Sequence, residues 1–227
     1  MNFSEKVRKV FCMKIIKIPL QGMFAVNSYI VISEAGNAVL IDAPEGGEKI
    51  LSEIEKNGAK LKKILLTHGH CDHIDSLAEL AEKTGAEVYI HEFDAPKLTD
   101  SKMNLSEFFA MYLDAPARHY DKAIPVHDGD VISQDELNFR VMHTPGHTSG
   151  CVCYILDDVM FSGDTLFRDS IGRTDMPDGN YSVLAKTLSM LSEIETDYRV
   201  LPGHNEETTL SREKSHNPFL SGNMFDY

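Results

Sequence analysis

The sequence predicts a mixed α/β fold whose strands end in short polar loops, and three observations point there. Between residues 38 and 90, apolar strand-like runs alternate with amphipathic helical stretches. After residue 124 the pattern shifts to strands and tight turns, with helical spacing returning only at 180–194. Five of the ten histidines, His68, His70, His73, His147 and His204, stand in polar loops just after predicted strands.

In chain order, 14–18 and 28–33 read as strands rich in Ile, Val and Tyr. Ala38 to Ile41 is a third, ended by Asp42-Ala43-Pro44. Gly46-Gly47 opens a helix with Ile50, Leu51 and Ile54 at helical spacing, and Asn57-Gly58 stops it. Lys63 to Leu66 is a buried-type strand that runs straight into His68-Gly69-His70-Cys71-Asp72-His73. The stretch from Asp72 to Lys83 reads as one helix, with Ile74, Leu77, Ala78 and Ala81 on a shared face. Thr84-Gly85 ends it, and Ala86 to Ile90 is the next strand.

Residues 97–123 fit neither rhythm. They carry Met103, Leu105, Phe108, Phe109, Met111, Tyr112 and Leu113, with Pro116 after them. They read as a helical insertion packed on its own domain, against the alternative of an exposed lid or dimer patch. Strands follow at 137–143, 151–156 and 158–161, then a helix at 180–194. A last strand at 198–201 leads into Pro202-Gly203-His204, and a polar closing helix begins near Glu206. No internal repeat or linker interrupts the pattern, so we expect one domain over 13–227, preceded by an extension at 1–12.

The bulk composition excludes several classes. Of 227 residues, 42% are hydrophobic and 25% charged, as in ordinary globular proteins. The net charge of −13 with no basic run argues against nucleic acid as a partner, because that affinity rests on Lys and Arg neutralising phosphates. No apolar run reaches the ~20 residues of a membrane span, so no membrane partner is expected. Cys12, Cys71, Cys151 and Cys153 form no secreted-type disulfide framework. A reducing, cytoplasmic setting is therefore expected. The sequence leaves monomer and homodimer both open.

Side chains at strand ends are rigidly based and reach a cleft, which suits a metal site. His68 and His70, two apart in an extended loop, point the same way. Asp72 and His73 start a helix, where neighbours diverge. One ion would have difficulty gathering all four groups, and two ions a few Å apart would use them naturally. Imidazole and carboxylate donors suit two Zn²⁺, with Fe or Mn also compatible. Cys71 occupies a spacer position and is not read as a ligand. Asp42, Thr67 and Thr148 are candidates to support the ligands from behind. Arg173 is a candidate for holding a substrate carboxylate, or for an internal ion pair with Asp169 or Asp175. The off-motif His91, His119, His127, His143 and His216 read as structural or surface residues. Among them His119, with its neighbour Tyr120, is the pair most apt to reach the cleft and touch substrate.

The segment Thr67-His68-Gly69-His70-Cys71-Asp72-His73 resembles the T-H-x-H-x-D-H signature of the metallo-β-lactamase fold superfamily. Thr144-Pro145-Gly146-His147 resembles its second ligand motif. Phe161-Ser162-Gly163-Asp164-Thr165 resembles the bridging-aspartate motif, and Leu201-Pro202-Gly203-His204 the last. The resemblance implies a four-layer αββα sandwich with metals at one edge of two sheets. It further implies one metal on His68, His70 and His147, the other on Asp72, His73 and His204, and Asp164 bridging them. The catalytic roles fall to Asp72, orienting a metal-bridging hydroxide, and to Asp164.

Gly163-Asp164-Thr165-Leu166-Phe167 with Ser170-Ile171-Gly172-Arg173-Thr174-Asp175 resembles the short bacterial glyoxalase II-like hydrolases. That implies hydrolysis of a small-molecule acyl thioester, or a similar ester. The basic C-terminal helical region that holds glutathione in the longer enzymes is expected to be missing. Arg173 stands where those enzymes carry a Lys, and Asp175 where they carry a Tyr. The main rival is a persulfide dioxygenase-like sulfur oxygenase holding one iron on His68, His147 and Asp164. Lactonase, β-lactamase and nuclease are further readings of the same scaffold.

Overall fold

The computed structural model describes residues 13–19, 24–111 and 119–220. The first sheet contains β1 (Lys14–Pro19), β2 (Asn27–Ile32), β3 (Asn37–Ile41), β4 (Lys60–Leu65), β5 (Glu87–His91) and β6 (Ile124–Val126), in chain order across the sheet. Its pairings are antiparallel from β1 to β3 and parallel from β3 to β6. The chain then forms β7 (Val131–Gln134), β8 (Leu137–His143), β9 (Val152–Leu156) and β10 (Val159–Gly163). A small hairpin of β11 (Leu166–Phe167) and β12 (Ser170–Ile171) follows, then β13 (Arg199–Pro202) and β14 (Thr208–Thr209). The second sheet has the order β14-β13-β10-β9-β8-β7, with β13 parallel to β10.

Period-2 alternation explains how the layers stack. In β2, Tyr29 and Val31 face the other sheet, while Ile30 and Ile32 face the helices. In β3, Val39 and Ile41 point inward and Ala38 and Leu40 outward. Both faces are covered, so these strands read as continuous apolar runs. The inner layer meets Phe139, Val141, Tyr154 and Phe161 of the second sheet. Helices α1 (Gly47–Lys56) and α3 (Leu77–Thr84) cover the outer face of the first sheet with Ile50, Ile54, Leu77 and Leu80. Helix α4 (Tyr181–Glu193) buries Leu184, Leu188 and Leu191 on one stripe, with the Asn180 side chain accepting from Val183 N at its start. Leu191 and Leu210, the latter from α5 (Leu210–His216), lie on the outer face of the second sheet. Burying one such leucine contributes roughly 1.5–3 kcal/mol. The result is an αββα sandwich.

Four expectations need correction. The helix read over 72–83 is two: α2 (Cys71–Ile74) and α3, broken at Asp75-Ser76. The loop after β3 docks into the break. Ala43 N donates to His73 O at 2.8 Å, and Ser76 N donates to Ala43 O at 2.9 Å. The His73 carbonyl therefore serves a tertiary partner, and Ser76 Oγ accepts from Gly47 N at 2.9 Å. The closing helix starts at Leu210 rather than near Glu206. Thr208–Thr209 first adds an edge strand, and the Thr209 side chain then caps α5 by accepting from Arg212 N.

The insertion is not helical among its described residues beyond a 3-10 turn at Ala95–Leu98. Polar side chains bind its backbone into turns, as where Asp100 Oδ1 accepts from Lys102 N and Met103 N. Its Leu105, Phe109 and Tyr120 do pack on the first core. Strands β6, β7, β11 and β12 were not expected. They are two to four residues long, and β6 carries Pro125 at a sheet edge, where a missing N–H is tolerated. The extension at 1–12, and Tyr112, Leu113 and Pro116, lie outside the described residues.

Candidate metal centre

Strand direction brings the histidine loops together. β3 and β4 run parallel in the first sheet, and β8, β10 and β13 share a direction in the second. Their C-terminal ends therefore meet at one edge of the sandwich. The loop after β4 supplies His68 and His70, and α2 supplies Asp72 and His73. The loop after β8 supplies His147, the end of β10 supplies Asp164, and the end of β13 supplies His204. Two glycines allow the close approach. Gly163 has φ +48 at a bulge in the β10–β13 pairing. At Gly203 a Cβ would fall 2.5 Å from Asp164 Oδ1 and 2.6 Å from His73 Cε1.

The donor atoms fall into three overlapping groups, each within 4.8 Å: His68 with His70 and His147, His68 with His73 and Asp164, and Asp72 with His73 and His204. Asp164 lies between the first and last. Its Oδ1 is 3.3 Å from His73 Nε2, and its Oδ2 is 3.4 Å from His204 Nε2 and 3.6 Å from His147 Nε2. His70 Nδ1 faces His147 Nε2 at 2.9 Å. The far ring nitrogens are already engaged. His73 Nδ1 donates to Asp42 Oδ2 at 2.8 Å, and His147 Nδ1 donates to the Arg173 carbonyl at 2.7 Å. Each Nε2 is thereby turned to the centre, where it can give its lone pair to an ion. His68 Nε2, His70 Nε2 and Asp164 Oδ1 are buried without a hydrogen-bond partner. Buried polar atoms without partners are rare, and a cation would satisfy His68 Nε2 and Asp164 Oδ1.

Electrostatics divide the site in two. Burial, with the neighbouring His147 ring, pushes His70 down to about 3, and burial holds His68 well below its usual value. These imidazoles are neutral, the form that binds metal. Burial opposes charge on His73 and His204 too, but carboxylates outweigh it. Asp164, Asp42 and Asp72 hold His73 well above its usual value, and Asp164 raises His204 to about 10. Burial resists ionisation of Asp164, yet the His204 and His73 charges hold it well below the carboxylate range. The Asp72–His73–His204 half thus already demands positive charge. The residues fit a pair of divalent cations.

The supporting residues lie behind the centre. Asp42, at φ +58, accepts from Thr67 N and Thr67 Oγ1 at 2.8 Å each, besides His73. Thr67 Oγ1 in turn sits 3.2 Å from His68 Nδ1. The Thr148 hydroxyl donates to Asp94 Oδ2 at 2.9 Å rather than to a ligand histidine. Asp94 is the residue the sequence reading missed. Fully buried, it also accepts from Gly69 N at 2.8 Å, Gly150 N at 2.9 Å and Lys97 Nζ at 2.7 Å. Lys97, equally buried, reaches Asp178, which accepts from Ser149 N. This ion triad, buried at Asp94 and Lys97 and open to solvent at Asp178, clamps the His68–His73 segment to the His147–Gly150 loop. Its one sequence trace is an Asp and a Lys three apart after a strand, which does not reveal burial.

Of the candidates for substrate contact, Arg173 shows one of its two expected arrangements, and the expectation for His119 and Tyr120 is corrected. Arg173 forms a two-pronged ion pair with Asp175, Nε to Oδ1 at 2.7 Å and Nη2 to Oδ2 at 2.8 Å, so its guanidinium is not a free anchor. His119 and Tyr120 do not line the cleft. Tyr120 N is drawn to Leu98 O at 3.0 Å and the ring packs on the core, while His119 is exposed. The cleft above the centre has a volume of about 430 Å³. Phe24, Leu105, Phe109, Phe167, Ile171 and Met176 wall it, and His70, Asp72, His147, Asp164 and His204 are exposed to it. Cys71, Cys151 and Cys153 are buried. Burial pushes the Cys71 thiol up to about 12 and Cys153 to about 11, so neither offers a ready thiolate.

Residues 22–204 match the family described as the Metallo-beta-lactamase superfamily. Hydroxyacylglutathione hydrolase GloC of Haemophilus influenzae is 33% identical over 204 residues, covering 87% of this chain and 94% of that protein. Among solved structures, BLEG-1 B3 metallo-beta-lactamase superposes with a TM-score of 0.80 at 32% identity, over 92% of this chain and all of that one. TTHA1623 in a di-iron-bound form gives 0.79 at 34%, over 90% and 100%. ETHE1 from Myxococcus xanthus gives 0.72 at 29%, over 92% and 85%. No helix among the described residues is long and apolar enough to cross a membrane.

Proposed function

The chain belongs to the metallo-β-lactamase superfamily, and from that premise we propose that it is a dinuclear metal-dependent thioester hydrolase of the compact glyoxalase II type. The observation that carries this reading is the position of Asp164. Its two oxygens lie within 3.3–3.6 Å of His73, His204 and His147, and so touch both ligand groups. His68, His70 and His147 would hold one ion, Asp72, His73 and His204 the other, with Asp164 shared. Zn²⁺ suits this donor set, and Fe or Mn would also be held. When bound, such ions polarise a carbonyl and lower the pKa of water to about 7.

The chain's own groups do the rest. Asp72 Oδ2 lies 3.6 Å from His204 Nε2 at the cleft floor, and orients the attacking water. Asp42 and the Arg173 carbonyl fix the rings of His73 and His147. The apolar walls exclude bulk water, which strengthens every charge interaction inside. Water oxygen adds to the thioester carbon as one of its protons passes to solvent, and the C–S bond then breaks. The thiolate leaves with little need of an acid, and the new carboxylic acid gives its remaining proton to solvent as carboxylate. The relationship to GloC supports a thioester substrate.

Metal analysis of the purified protein, with hydrolysis assays on S-lactoylglutathione and S-acetyl-N-acetylcysteamine, tests this. We expect two metals per chain and thioester turnover that is lost in His70→Ala. The likeness to ETHE1 favours a second reading, a sulfur oxygenase with one iron on His68, His147 and Asp164. A single iron, with oxygen uptake on a persulfide and no thioester turnover, would establish that reading and end the first.

A further inference from the structure

The cleft does not stop at the metal site. It opens into a second compartment of about 670 Å³ that shares Leu105, Phe109, Arg173 and Met176 with the first. A row of aromatic rings marks the passage. Phe24 meets Phe109 edge-on with centroids 5.0 Å apart, and Phe109 meets Phe108 edge-on at 4.9 Å. Phe108, at the rim of this compartment, is 71% exposed. With Leu105, Phe109, Met176 and Pro177 it forms a contiguous apolar lining, the kind of concave surface that takes a ligand.

Charge points the same way. Among the described residues lining the outer compartment, the cations are Lys102 and Arg173, and the anions are Glu107 and Asp175. The two signs balance, and Arg173 turns two of its three guanidinium nitrogens to Asp175, so the lining carries no net charge to draw an anionic carrier. A glutathione carrier brings two carboxylates and an ammonium, and each needs a partner to offset its desolvation. An uncharged apolar arm needs none and gains from every Å² it covers.

We infer that the outer compartment, with Phe109, Phe108 and Met176, binds the apolar arm of an uncharged thioester, and that the cleft does not select a glutathione carrier. This rests on the hydrolase reading for the reacting group, but the arm site is defined by binding alone.

The test is a two-by-two set of thioethers on the metal-loaded protein, measured by calorimetry. S-methyl and S-benzyl groups are each placed on N-acetylcysteamine and on glutathione. Half-burying a benzyl ring should tighten binding about tenfold over methyl on either carrier. Exchanging N-acetylcysteamine for glutathione should change the affinity by less than about fivefold. A benzyl gain under about fivefold, or a larger gain from glutathione, would overturn the inference. Phe109→Ala should cut the benzyl gain to about threefold. Because Phe109 also packs on the core, Phe108→Ser serves as a second variant and should at least halve the gain. An unchanged gain in Phe108→Ser would count against the site. Self-association that Phe108→Ser abolishes, with no benzyl gain, would assign the surface to a second copy of the chain and overturn it too. A benzyl gain without turnover of any thioester would sink the hydrolase reading and leave the arm site standing. Turnover without the gain would do the reverse.

Discussion

At the scale of single residues, the candidate ligands are aimed by what holds their other side. Asp42 is the case in point, with one carboxylate serving His73 Nδ1 and both groups of Thr67. Asn tolerates the left-handed backbone that Asp42 adopts, so Asp42→Asn isolates the charge. We expect metal affinity to fall about 10- to 100-fold, with little change in the fold's circular dichroism, as read by competition with a chromophoric chelator. Gly203 tests packing at the same scale. Gly203→Ala places a carbon 2.5 Å from Asp164 Oδ1, and metal content after purification should drop although no ligand is touched. The candidate ligands and Asp42 were legible because they stand in polar loops straight after strand-like runs. The need for Gly203 was not, since it arises from β10 and β13 lying side by side, which no local pattern encodes.

At the scale of elements, loops are aimed as pairs. Asp94 and Lys97 tie the loop after β4 to the loop after β8, each from a buried position. Asp94→Ala leaves the Lys97 ammonium with Asp178 alone and strands the N–H groups of Gly69 and Gly150. We expect a loss of about 3–5 kcal/mol in urea unfolding, and weaker metal binding in the folded fraction. Strand-and-helix rhythm was readable wherever an element buries a face over several residues, as in α4 with its Leu184, Leu188 and Leu191 stripe. It failed where a tertiary bond replaced a local one. The Ala43 N to His73 O bond breaks an otherwise continuous helical pattern, and Asp100 with Asn104 turns the insertion into loops.

At the scale of the whole molecule, the two sheets meet at their edges as well as their faces. His91 at the end of β5 stacks on His143 at the end of β8, with ring centroids 4.1 Å apart and planes within 8°. Burial, together with the charge His143 would carry, holds His91 down to about 4, against 6.5 in an open chain. Between those values the unfolded chain binds the extra proton. This contribution to stability is therefore full above 6.5 and lost as the pH falls toward 4. Its size is at most about 3 kcal/mol. His91→Asn should flatten the difference in melting temperature between pH 7 and pH 5, measured on metal-loaded protein by calorimetry. The αββα layering was legible only through family resemblance, because apolar strands announce burial without saying which sheet they join. The metal centre spans that same junction. Residues 13–126 carry His68, His70, Asp72 and His73, and residues 127–220 carry His147, Asp164 and His204. Neither stretch holds a complete ligand group together with the shared aspartate. Coexpressed as separate fragments, they would report their own reassembly through tight metal uptake, and an ion so held would be a molecular zip-tie whose closure records that the two halves have met.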